Sequence, residues 1–142
     1  MEAKGGIRVK YRVIVCGSRD FTDKETCFGV LDAFLADKPD AEIVSGHARG
    51  ADAFGEEYAR ARGLALTVFA AEWGRYGRAA GPLRNAQMLA YAMEETPCVV
   101  AFWDGKSAGT AHMARLAEEK GAEVQIVRFS AEETETKKEE TE

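Results

Sequence analysis

Five short apolar runs, each separated from the next by residues at helical spacing, set the limits on what this chain can fold into. Residues 9–16 begin by alternating (Val9, Tyr11, Val13) and end in the continuous run VIVC; residues 41–45, 65–69, 98–103 and 123–129 read as four further strands. Thr22 and Glu25 have the spacing of a capping box, and Phe28, Leu31 and Leu35 follow on one helical side. Residues 50–62 place Ala51, Phe54, Tyr58 and Ala61 on one face, with Gly63 where a left-handed cap ends a helix. Pro82 suits the first position of a third helix, whose stripe is Leu83, Ala86, Leu89, Ala90 and Met93; residues 110–120 form a fourth. The segment EWGRYGRAAG before Pro82 reads as irregular.

Strands that alternate with helices are parallel, because each helix is a crossover. Nearly all-apolar strands imply a sheet covered on both faces. The expected architecture is a single α/β domain over residues 1–130: a Rossmann-like five-stranded parallel sheet of order 3-2-1-4-5, with the flavodoxin-like order 2-1-3-4-5 as alternative. In the first order the strand direction of travel switches between strands 1 and 4. Ligands of such sheets lie at the carboxyl ends of the strands at that switch.

Composition narrows the classes further. The longest apolar run, residues 98–103, has six residues, against the ~20 needed to span a bilayer. The N-terminal residues show no signal-peptide pattern, so a cytoplasmic protein without membrane association is expected. Cys16, Cys27 and Cys98 are odd in number and far apart, which suits small buried hydrophobes rather than a disulfide framework or a zinc site. Of the net charge of −5, residues 131–142 carry −4, with six Glu and two Lys and no aromatic or branched apolar residue. They are expected to form a flexible acidic tail. The rest is near neutral, 18 acidic against 17 basic residues, which argues against nucleic acid as the partner.

The turns that follow the strands hold the candidate site. After strand 1 stand Gly17, Ser18, Arg19 and Asp20: a glycine for close approach, a hydroxyl and a planar guanidinium for phosphate or carboxylate. After strand 2 come Ser45, Gly46, His47, Arg49, Gly50 and Asp52. Asp52 falls in a first helical turn, where it either caps the helix, binds a ribose hydroxyl or orients an arginine. After strand 4, Asp104, Gly105, Ser107, Gly109 and Thr110 open directly into a helix and form an anion cradle. That turn is neither a Walker loop nor G-x-G-x-x-G. Trp73 and Tyr76 interleave with Arg75, Arg78 and Arg84, a pattern that can stack a base and clamp a phosphate. Gly81 and Asn85 flank the last of these. Neither His47 nor His112 has a second ligand at metal spacing, and His112 reads as structural or exposed. No metal and no cofactor are expected, and no catalytic residue is nominated.

Together, VIVCGSRDF, IVSGHARGADAF, WGRYGRAAGPLRNAQML and VVAFWDGKSAGTAHM resemble the YspA/YpsA-related branch of the SLOG superfamily, over residues 11–129. That superfamily also holds the Lonely Guy phosphoribohydrolases and DNA-processing protein A. The resemblance implies a Rossmann-like fold, a nucleotide or nucleotide-sugar-derived ligand of the ADP-ribose kind, and a homodimer or higher even homo-oligomer. It carries over onto Gly17, Ser18 and Arg19; Ser45, Gly46, Arg49, Gly50 and Asp52; Gly81, Arg84 and Asn85; and Gly105, Ser107, Gly109 and Thr110. The phosphoribohydrolases read PGG-x-GT-x-x-E where this chain reads DGKSAGT-x-x-Met113, so their glutamate is replaced by a thioether. Binding or sensing is therefore expected ahead of nucleoside-monophosphate N-glycosidase activity, with single-stranded DNA binding third.

Overall fold

The computed structural model describes residues 9–130. The expected acidic tail, residues 131–142, lies outside the described residues. Five parallel strands, β1 (Tyr11–Gly17), β2 (Glu42–Ser45), β3 (Leu66–Val68), β4 (Thr96–Trp103) and β5 (Glu123–Arg128), lie in the order β3-β2-β1-β4-β5. The 3-2-1-4-5 order is therefore the one adopted. Longest in register is the central pair, Tyr11↔Thr96 through Gly17↔Phe102.

Side-chain alternation divides the core into two layers. Val13, Val15, Ile43, Val100 and Phe102 face α1 (Lys24–Phe34) and α2 (Ala51–Arg62), where Cys27, Leu31, Tyr58 and Ala59 meet them. Ile14, Cys16, Val44, Val99 and Ala101 face α4 (Ala80–Ala92) and α5 (Ala108–Glu119), which contribute Met88, Leu89, Ala92, Met113 and Ala117. All three cysteines are free and buried. β5 departs from the expectation of strands covered on both faces: as an edge strand it leaves Ile126 exposed. Among the described residues no helix is long and apolar enough to cross a membrane.

Local chemistry explains the boundaries. Asp23, not Thr22, caps α1: its Oδ1 accepts the Thr26 amide at 3.1 Å. Phe21, just ahead of the cap, is buried and stacked on Phe102 with ring centroids 4.7 Å apart. Gly63 ends α2 in the left-handed conformation as its position suggests. The segment before Pro82 is not irregular. It forms a short helix, α3 (Trp73–Tyr76), a 3-10 turn (Gly77–Ala79), and the start of α4 two residues ahead of Pro82.

Candidate functional site

A cleft of about 770 Å³ opens at the carboxyl ends of β1 and β4, where the strand order switches. Its floor is the β1 turn. There the Ser18 amide donates to the Phe102 carbonyl at 2.9 Å, and Ser18 Oγ accepts the Asp104 amide at 3.1 Å. Those bonds tie the two switch-point turns into one unit.

The β4 turn is built by Asp104. Its Oδ1 accepts the amides of Lys106 and Ser107, both at 2.8 Å, and these bonds hold its carboxyl below the usual carboxylate range. Ser107 caps α5, with Oγ 3.4 Å from the Thr110 amide and 3.1 Å from Thr110 Oγ1. The two hydroxyls expected in the anion cradle thus serve each other. Ala108 and Gly109 are in the first turn of α5, whose amides lack intrahelical acceptors, and both line the cleft beside them.

Cations line the same cleft. Arg84, on α4, donates to the Gly46 carbonyl through Nη1 and to Asn85 Oδ1 through Nε at 3.1 Å. A Cβ on Gly46 would stand 2.8 Å from Asp52 Oδ2 and against the Arg84 guanidinium, so glycine is what lets that loop pass between them. Asp52 is only 4% exposed and lines the cleft. Its Oδ2 accepts the Ala48 amide at 3.4 Å, and burial pushes its carboxyl up to about 6 against the opposing pull of that amide and of Arg84. Asp52 therefore does not cap α2, whose cap residue Gly50 makes no side-chain bond. Gly50 itself, at φ 82, runs so close beneath Ser18 that a Cβ would lie 2.5 Å from the Ser18 carbonyl.

Arg19 sits over the Trp73 ring at 5.7 Å, and Trp73 remains 48% exposed at one end of the cleft. Gly81 leaves room for that indole, which a Cβ there would meet at 3.3 Å. Burial drives the Cys16 thiol far up, away from its thiolate form.

Besides Trp73, twelve of the nineteen residues nominated from the sequence for ligand binding line the cleft: Gly17, Ser18, Arg19, Asp20, Asp52, Gly81, Arg84, Asn85, Asp104, Ser107, Gly109 and Thr110. Seven do not. Ser45 Oγ donates to Glu56 Oε2 at 2.8 Å, and His47 Nδ1 stands 2.9 Å from the same oxygen. Gly46 and Gly50 shape the backbone, Gly105 lies against Arg128, and Arg49 and Arg78 are exposed away from the cleft wall. His112, read from the sequence as structural or exposed, is half-buried on the cleft wall, which Lys106 and Arg115, unmarked in the sequence, also line. The buried carboxylate of Glu56 was likewise unmarked, since a charge in mid-helix ordinarily faces solvent. Among the described residues no group of three His, Cys, Asp or Glu side chains is placed to hold a metal ion.

A family model described as the YspA, cpYpsA-related SLOG family matches residues 11–76. The gene 61 protein of Mycobacterium phage D29 is 34% identical over 119 residues, which cover 80% of this chain and 93% of that protein. Among solved structures, DNA processing protein A from Streptococcus pneumoniae is similar with a TM-score of 0.48 at 16% identity. That match covers 84% of this chain and 59% of the other.

Proposed function

Since the chain belongs to the YspA, cpYpsA-related SLOG family, we propose that its cleft binds a nucleotide or nucleotide-sugar-derived small molecule of the ADP-ribose kind. The observation that carries this reading is the pairing, in one cleft, of helix-start amides at Ala108 and Gly109 with an exposed indole at Trp73. The first suits a phosphate and the second the face of a base. Arg19 and Arg84 supply fixed positive charge between them. The volume, about 770 Å³, falls in the range of small-molecule pockets. Cytoplasmic location and assembly into an even homo-oligomer belong to the same proposal.

The test uses Gly109. It has open space where a Cβ would go and faces the cleft, so a side chain there meets ligand and not protein. Gly109→Val is expected to stay folded and to lose the thermal stabilisation that ADP-ribose gives the parent protein. A folded variant with undiminished stabilisation rejects the site.

A second reading, cleavage of a nucleoside-monophosphate glycosidic bond, is favoured by one observation, the buried Asp52 carboxyl in the cleft wall. Free-base release from adenosine monophosphate separates the two.

A further inference from the structure

His112 stands in the cleft wall at the position just before Met113, and its ring Nδ1 is 3.2 Å from Asn85 Nδ2. Asn85 is 6% exposed, and both ends of its amide are committed. Its Oδ1 faces Arg84 Nε at 3.1 Å, and a guanidinium only donates. Its Nδ2 faces the Gly109 carbonyl at 3.2 Å, which only accepts. Two independent partners therefore fix the amide the same way round, with its NH₂ toward His112. An NH₂ group donates, so Nδ1 of His112 must accept, and the ring proton of the neutral imidazole resides on Nε2.

From this chain of bonds we infer that His112 is a ligand-contacting donor of the site, presenting a fixed Nε2–H to a phosphate oxygen of the bound molecule. This rests on the reading that a nucleotide-derived ligand occupies the cleft. Phosphate is the acceptor class because Gly109, whose carbonyl shares the Asn85 amide, is in the helix start that faces the cleft, and Lys106, Arg84 and Arg115 line the same cleft. A neutral imidazole donor adds a hydrogen bond there without adding charge, as in sites where a neutral histidine polarises an oxygen. The chain holds an internal reference. His47 Nδ1 faces the Glu56 carboxylate at 2.9 Å, an acceptor, so its proton belongs on Nδ1 and the two histidines carry opposite tautomers.

The experiment is long-range nitrogen-15 NMR of histidine-labelled protein at pH 8, above the ordinary imidazole range. His47→Gln assigns the two rings. The expected result is an Nε2–H tautomer for His112 and an Nδ1–H tautomer for His47. In Asn85→Asp a carboxylate, which only accepts, replaces the amide, and the His112 tautomer inverts. An Nδ1–H ring at His112 in the parent protein, or an unmoved one in a folded Asn85→Asp, overturns the inference. ADP-ribose titration then tests the ligand contact. His112→Phe is expected to weaken binding on the order of tenfold, and His112→Gln, which restores an N–H donor, to recover part of that loss. Equal affinity of the parent and the Phe variant also overturns it. A parent protein that binds no ADP-ribose, with the tautomers as stated, rejects the ligand reading and the contact with it, while leaving the donor geometry established.

Discussion

A β-carbon on Gly17 would stand 2.3 Å from the carbonyl oxygen of Phe102 and 2.8 Å from Cβ of Ala51. β1 and β4 therefore meet backbone to backbone at the cleft floor, and α2 closes on the same point. Gly17→Ala is expected to cost about 1–3 kcal/mol, the usual penalty for overpacking where backbone must move. Urea midpoints of the two proteins measure it. An unchanged midpoint would mean that the strand ends relax without cost.

Asp52 makes stability depend on pH in a direction opposite to most carboxylates. Burial holds its carboxyl up at about 6 in the folded chain, against about 3.9 for an unperturbed aspartate. The folded state thus binds a proton that the unfolded state has released, and stability from this group is present below pH 4 and lost as pH rises through 6. The amount is on the order of 3 kcal/mol. Asp32, Glu42 and Asp104, whose carboxyls are held low, act in the other direction but are common to both proteins in a comparison with Asp52→Asn. The stability of Asp52→Asn relative to the parent is expected to climb between pH 4 and 7. A difference that stays flat across that window would place the Asp52 carboxyl at its ordinary value.

The division of labour between sequence and tertiary structure is visible at particular residues. Strand order and cleft position were legible because short apolar strands alternate with helical segments, and parallel crossovers leave few arrangements. The cap of α1 was not: Thr22 and Asp23 are adjacent and both suited, and no local pattern decides between them. The helical nature of residues 73–79 was hidden by the glycines at 74 and 77, which read as breaks. The bond of His112 to Asn85 was hidden for a different reason. The two residues are 27 apart, and no local pattern announces a partner at that distance. Asp52 was found, but its burial and its bond to the Ala48 amide are tertiary features that spacing alone does not reveal.

The outer side of α4 carries an exposed apolar stripe, with Leu83 and Met93 more than 40% exposed and Ala86 and Ala90 between them. The spacing is helical and the ends match, so two antiparallel copies about a twofold axis would set Leu83 of one against Met93 of the other. The small alanines allow close approach at the centre. Light scattering at micromolar concentration is expected to give twice the chain mass or a higher even multiple, and a Leu83→Lys, Met93→Lys double variant the single mass. A monomeric parent protein removes this assembly.

The last prediction concerns turnover. Glycosidic cleavage passes through an oxocarbenium-like state, and hydrolases of that kind set a carboxylate beside the breaking bond. In the phosphoribohydrolase pattern that carboxylate would stand at Met113, whose thioether is here 1% exposed and packed in the core layer beneath α4 and α5. The other cleft carboxylates are otherwise engaged or exposed. Asp104 is bound to the amides of Lys106 and Ser107, Asp52 to the amide of Ala48, and Asp20 is open to solvent. Loss of one group aimed at developing charge costs about 10²–10³ in rate. Adenosine monophosphate is therefore expected to stabilise the protein without appreciable release of adenine over hours, as read by chromatography. Rapid release would reverse the order of the two readings. Its abolition in Asp52→Asn, with retained binding of the nucleotide, would then assign the missing carboxylate to α2 rather than α5.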